Sequence, residues 1–189
     1  MLLDFFIEKR YLSFTMPNLT DLLLLYKIPN QTGVIIFLSF KEFNMASVFD
    51  VAKYILDKNG EMTSIRLQEF VYYSQAWCLV WWETPLFDEE IQAWASCPVV
   101  PTLYNKYNGQ FKLDSSFNFG GDANNLLNYE RGTINHVFKY YGDQKTWQLV
   151  KLTHSENPWK KARHKIPKGH KCTNVITLSS MAEYYLCLV

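Results

Sequence analysis

From Met45 onward, apolar residues recur at three- and four-residue spacing, the period of helices that bury one face. Val48, Val51, Ala52 and Ile55 share a face, Asp50 suits the positive end of that helix, and Asn59-Gly60 stops it. Thr63 is the expected N-cap of the longest helix, Ser64 to Trp82. Along it Leu67, Phe70, Val71, Ser74, Trp77, Cys78 and Trp81 form a stripe, about 28 Å long, that is expected to face the core. Thr84-Pro85 breaks the helix. Ile91, Ala93 and Ala95 then alternate with Gln92, Trp94 and Ser96, which predicts a short extended segment. Pro98 and Pro101 stiffen the corner that follows, and Pro101 suits the first position of a helix through Leu103 and Tyr104.

Residues 105–128 contain Asn108-Gly109 and Gly120-Gly121 and predict turns and loops. Helices are expected over 129–141, from a cap at Thr146 towards Ser155, and from an Asn157-Pro158 start through Trp159 to Arg163. A last one runs from Thr177 or Ser179 through Met181, Tyr184 and Tyr185. The expected fold is mainly α: a single compact helical domain with a long central helix. At most a small β element is expected, around residues 87–94.

The first 44 residues do not follow this pattern. Their apolar runs, 22–25 and 34–40, are separated by Pro29, Asn30 and Gly33. Neither reaches the roughly 20 residues that a membrane helix needs. Asp4 and Glu8 spoil a signal-peptide start. Lys41-Glu42 can be back-translated as AAGGAG, which would be a ribosome-binding sequence at a short spacing before Met45, one choice among the degenerate codons. Residues 1–44 therefore read as upstream DNA translated from an early start and are expected to be poorly ordered, and residues 45–189 read as the domain.

Composition adds aromatic excess: 6 Trp, 12 Tyr and 13 Phe in 189 residues, side chains that fill cores and anchor interfaces. A net charge of +1 speaks against a broad nucleic-acid footprint. Cys78, Cys97, Cys172 and Cys187 show no Cys-x-x-Cys pairing and read as reduced thiols.

Catalytic chemistry has few candidates. His154 and Glu156 are two apart, which suits structural capping near Pro158 as well as acid–base work. Cys97 and His154 would be a nucleophile and its base. His164, His170 and Cys172 would be three metal ligands on one loop, without a fourth and without a zinc spacing. Asp88-Glu89-Glu90 reads as a solvated acidic run, and Gly120-Gly121-Asp122 is too short for a phosphate loop. No mutually supporting catalytic set emerges, so no catalytic residue, cofactor or metal is expected. The one basic cluster is Lys160, Lys161, Arg163, His164, Lys165, Lys168 and Lys171.

The residues also carry a resemblance. Asp50-Val51-Ala52-Lys53-Tyr54-Ile55-Leu56, Leu67-Gln68, and Val71-Tyr72-Tyr73-Ser74-Gln75-Ala76-Trp77 open it, followed by Pro85-Leu86-Phe87. Next come Ala93-Trp94 and Pro98-Val99-Val100-Pro101-Thr102-Leu103-Tyr104. Leu152-Thr153-His154-Ser155-Glu156-Asn157-Pro158-Trp159 with Ala162-Arg163 forms a second motif. Together, over about residues 45–185, they resemble the Panacea domain, the SocA-like antitoxin domain that also occurs in phage-associated GepA-like proteins.

The resemblance implies a cytoplasmic, non-enzymatic protein that neutralises a toxin encoded beside it. Its partners would be the cognate protein toxin and, in a delivery variant, an ATP-dependent protease, with no membrane. The alternative is a DNA-binding regulator of phage or toxin–antitoxin genes, since short helices joined by turns build helix-turn-helix units. The partner-binding residues expected from the two motifs are Trp94, Pro98, Val99, Pro101, Tyr104, His154, Trp159 and Arg163. Three positions depart from the family pattern, which usually has Lys at Glu69, His at Cys78 and Gly at Cys97. If that glycine serves a positive φ, Cys97 would be strained by about 1 kcal/mol.

Overall fold

The computed structural model describes residues 45–188, so the reading of residues 1–44 as an upstream extension lies outside the described residues. Helix predominates, as the periodicity predicts. Helix α1 spans Val48–Asn59, strand β1 Met62–Thr63 and helix α2 Ser64–Trp82. Strands β2 (Gln92–Ala93) and β3 (Pro98–Val99) precede α3 (Pro101–Tyr107) and β4 (Lys112–Leu113). Helices α4 (Asn128–Tyr141), α5 (Thr146–Ser155), α6 (Asn157–Ala162) and α7 (Leu178–Leu186) complete the order. No helix among the described residues is long and apolar enough to cross a membrane.

Local chemistry sets most of the boundaries. Ser47 and Asp50 close a capping box at the start of α1, and Gly60 ends it at φ 70°. Thr63 accepts from Arg66 N at 3.2 Å, and Thr177 accepts from Ser180 N at 3.2 Å, so both expected caps form. Two caps shift by one residue: Lys145 and Glu156 take the N-cap positions, leaving Thr146 and Asn157 as first helical residues. The acidic run is not wholly solvated. Glu89 accepts from Val48 N at 3.2 Å, supplying a partner to an orphan donor of α1.

Helix α2 is the axis. Helices α1, α4, α5 and α7 and strand β3 all pack on it. The expected one-sided stripe is therefore too narrow: every residue from Leu67 to Ala76 is buried, on all sides of the helix. Trp81, at the far end of that stripe, is 38% exposed although it stacks on Trp77 and meets His136 of α4 edge-on. Trp147 is likewise turned to solvent.

Two buried glutamines on α2 fasten the irregular chain that follows it, Gln68 at the corner and Gln75 at Leu86-Phe87. Gln68 Oε1 accepts from Val100 N at 2.9 Å, and its Nε2 donates to the Tyr107 hydroxyl at 3.0 Å. Gln75 Oε1 accepts from Leu86 N at 2.7 Å and Phe87 N at 3.3 Å, while its Nε2 donates to Phe87 O at 2.9 Å. These amides replace the strand partners that an irregular buried segment lacks. Gln75→Ala strands three buried backbone groups, and we expect it to lower the unfolding free energy by about 3 kcal/mol. Urea unfolding checks this; a loss below about 1 kcal/mol would show that the segment finds other partners.

The β content is small, as expected, but more than one piece. Strand β2 pairs antiparallel with β3, Gln92 opposite Val99 and Ala93 opposite Pro98. The alternating segment thus turns back on the corner as a hairpin. Strand β1 pairs with β4, Met62 opposite Leu113, inside a region that the sequence reading assigns to loops. Two-residue strands are too short to show a period. Gly121 packs so closely on α1 that a Cβ there would sit 2.3 Å from the Phe49 carbonyl carbon. Asp122 N then donates to Asp50 Oδ1 at 2.6 Å, tying the middle loop to the first helix.

Candidate functional site

The corner and the second motif meet. Helix α3 presents the Tyr104 ring edge-on to Trp94, with centroids 4.9 Å apart. Helix α5 ends at Ser155 and extended Glu156 leads straight into α6. This short break lets His154, in the last turn of α5, stack on Trp159 of α6 at 3.9 Å. Trp159 Nε1 donates to Trp94 O at 3.3 Å, and the Arg163 guanidinium lies 5.0 Å from the Trp159 ring.

Arg163 is 5% exposed and joins three segments. One terminal nitrogen donates to Ala93 O at 2.8 Å, and the other donates to His170 O at 2.8 Å and Pro167 O at 3.4 Å. Of the expected partner-binding residues, Trp94, Pro101, Tyr104, His154 and Trp159 are half-buried, whereas Pro98, Val99 and Arg163 are buried. The half-buried side chains form the accessible part, and the buried ones hold it.

Electrostatics fix the state of His154. Burial lowers its pKa, the nearby Arg163 and Lys168 charges lower it further, and the Ser96 backbone opposes them. The imidazole is therefore neutral at pH 7, and its buried Nε2 has no hydrogen-bond partner. Glu156, two residues on, turns the opposite way into the core. Its carboxylate accepts from the Tyr185 hydroxyl at 2.5 Å and from the Tyr73 hydroxyl at 3.4 Å. The pair thus does not work as one acid–base unit.

Cys97 is 1% exposed. Burial, with the nearby Glu69 carboxyl, pushes its thiol far above the usual range, the wrong direction for a nucleophile. The strain expected at Cys97 does not arise. Among the described residues the positive-φ non-glycine residues are Glu83, Asn108 and Lys165. All four cysteines are free, as expected. Cys172 is buried while His164 and His170 are exposed, so the three do not gather as ligands. Among the described residues no group of three His, Cys, Asp or Glu is placed to hold a metal.

Beneath the face lies a feature that residue spacing did not reveal. Glu69 is fully buried, and its Oε1 accepts from Thr153 Oγ1 at 3.1 Å. Its Oε2 has no partner. Burial first, and the neighbouring Glu156 second, push the Glu69 carboxyl up to about 8, against the Thr153 hydrogen bond. Burial pushes Glu156 up to about 7 against its two tyrosine hydrogen bonds. The available signal was Glu69 itself, a carboxylate in the apolar long helix.

The family model described as antitoxin SocA-like, Panacea domain, matches residues 67–160. That span is narrower than the resemblance read over residues 45–185: it leaves out residues 50–56 and Ala162-Arg163, and takes in the corner, residues 152–159 and every expected site residue except Arg163. No curated protein and no solved structure matches the chain. Built on α2 and joined through Trp94, Trp159 and Arg163, the matched region is one structural piece, and over residues 67–160 the chain belongs to the antitoxin SocA-like, Panacea domain family.

Proposed function

We propose that the chain is the antitoxin of a toxin–antitoxin pair, acting in the cytoplasm by binding a protein toxin encoded beside it. The observation that carries this reading is the convergence of two motifs some 50 residues apart on one half-buried face: Trp94 and Tyr104 from one, His154 and Trp159 from the other. Planar side chains held by ring packing, with Trp159 Nε1 also bonded to Trp94 O, lose little freedom on binding. Tryptophan and tyrosine are also the residue types that most often dominate interface energetics.

Binding rather than catalysis is favoured by a protonated Cys97 and by the separation of His154 from Glu156. The DNA-binding alternative is weakened because Arg163, a member of the basic cluster, is directed inward. Delivery of the toxin to an ATP-dependent protease is compatible with the same face and differs only in the toxin's fate.

The test is rescue of cells expressing the neighbouring toxin gene, measured beside the melting temperature of each variant. Tyr104→Ala and Trp94→Ala are expected to remain folded at growth temperature and to weaken toxin binding by about 30-fold, the scale of a hot-spot residue. Folded variants that still protect cells would remove the face from the mechanism. Protection by the unaltered chain only in cells that have the protease would favour delivery over occlusion.

A further inference from the structure

The accessible face continues into a loop of unusual charge. Residues 160–171 hold six lysines and arginines and no acidic residue, in a chain whose net charge is only +1. Lys165, Lys168 and Lys171, with His164 and His170, are exposed. Among the described residues this stretch makes one ion pair, Lys161 with Glu183 at 3.7 Å, both exposed.

The loop is held in shape. Arg163 donates to the carbonyls of Pro167 and His170, Ile166 N donates to Arg163 O at 2.9 Å, and His170 N donates to Pro167 O at 3.2 Å. Lys165 sits at φ 66° and Gly169 at φ 80°, so the lysine adopts a left-handed conformation that its side chain disfavours. The held backbone thus carries Lys165, Lys168 and Lys171 within seven residues of one another, a concentration of like charge that an opposite charge would relieve.

The loop and the aromatic face are one surface. The guanidinium that fastens the loop lies against the Trp159 ring, and the Lys168 charge acts on His154. We propose that the bound partner is a protein presenting a cluster of carboxylates beside an apolar patch. The apolar part would meet Trp94, Tyr104 and Trp159, and the carboxylates would meet Lys165, Lys168 and Lys171. This inference rests on the binding reading above.

Nucleic acid fits the surface less well. Groove reading needs a projecting helix or ribbon, and these lysines lie on a turn-rich loop. The guanidinium best suited to phosphate is turned inward, and the near-neutral chain lacks a broad basic footprint.

The experiment measures association and dissociation of the full chain with the purified product of the neighbouring gene, at low salt and at about 0.15 M. The loop variant carries Lys165→Glu, Lys168→Glu and Lys171→Glu. The control, with the same change in net charge, carries Lys58→Glu, Lys139→Glu and Lys145→Glu. Steering by complementary charge acts mainly on association. The loop variant is expected to associate about tenfold more slowly or worse at low salt and to lose most of its salt dependence, with dissociation little changed. The control is expected to stay within about threefold.

Equal slowing in both variants would overturn the inference, because whole-molecule charge then accounts for the effect. An unchanged loop variant would overturn it while leaving the binding reading intact, provided Tyr104→Ala still weakens binding. No binding by the unaltered chain would end both. Loop-dependent retention of a random-sequence DNA duplex at about 0.15 M salt would reassign the loop to nucleic acid and also overturn it. Should the triple variant melt early, Lys168→Glu alone is read in the same assay.

Discussion

Glu69→Gln is expected to stabilise the protein strongly at pH 8 and hardly at all at pH 4.5. The carboxyl is fully buried, with one oxygen on Thr153 and the other unpartnered, so the fold favours its protonated form. Its folded pKa, about 8, lies above the ordinary value of 4.5. A carboxyl raised in this way contributes stability that is complete below pH 4.5 and is lost as pH rises through the folded value. Glu156, raised to about 7, acts in the same direction over a slightly lower window. At about 1.4 kcal/mol per unit, Glu69 alone accounts for a loss on the order of 4 kcal/mol between pH 4.5 and pH 8.

Groups whose values are lowered oppose this slope, Asp50 and His154 among them. Burial raises Asp50, but hydrogen bonds from Asp122, Ser47 and Asn125 outweigh it and hold the carboxyl below its ordinary value. Its contribution is present above pH 3.8 and is lost in acid. His154, lowered by burial, favours the fold above pH 6.5 and loses that contribution as pH falls through its folded value. Urea unfolding at several pH values should therefore show stability declining from mildly acidic to alkaline conditions, with a much flatter profile in Glu69→Gln. A variant profile parallel to that of the unaltered protein would refute the assignment.

Arg163→Ala is expected to separate the two motifs. It leaves the carbonyls of Ala93 and His170 without their donor and removes the cation beside Trp159. Leaving buried carbonyl oxygens without a donor costs about 1–3 kcal/mol each. Because the guanidinium also fastens the basic loop, limited trypsin digestion should cut at Lys165 or Lys168 well before the remainder of the domain. Arg163→Lys keeps the charge but lacks the planar fork that reaches both sides, so it should behave nearly as badly. Toxin binding should fall in both variants even at temperatures where circular dichroism reports intact helix. Normal binding by a variant with a released loop would show that Arg163 serves stability alone.

The helices were legible in the chain because capping and periodicity are local. Ser64 to Trp82, Thr63 as its cap, Gly60 as the stop of the first helix and Pro101 at the start of α3 all follow from residues within a few positions of one another. The off-by-one caps at Lys145 and Glu156 mark the limit of that reading, since the neighbouring Thr146 and Asn157 carry good capping side chains but sit one residue inside. The short strand pair of β1 and β4 left no local trace, because its stability comes from a partner about 50 residues away.

Tertiary structure alone decided what surrounds each side chain. The apolar stripe on α2 gave a direction, whereas its burial on every side depends on five other elements arriving around it. The same encirclement turned Glu69 from a helix-surface charge into a buried acid. It gave Gln68 the task of holding the distant corner and Gln75 that of holding Leu86-Phe87. The candidate face divides in the same way. Family motifs placed Trp94, Tyr104, His154 and Trp159 in the chain, but only the fold stacked His154 on Trp159, buried Arg163 among three backbone segments and left the lysines of its loop outside. Neighbours within one helical turn are set by covalent geometry and can be read from residue order, while neighbours that meet through folding depend on how all the helices pack at once.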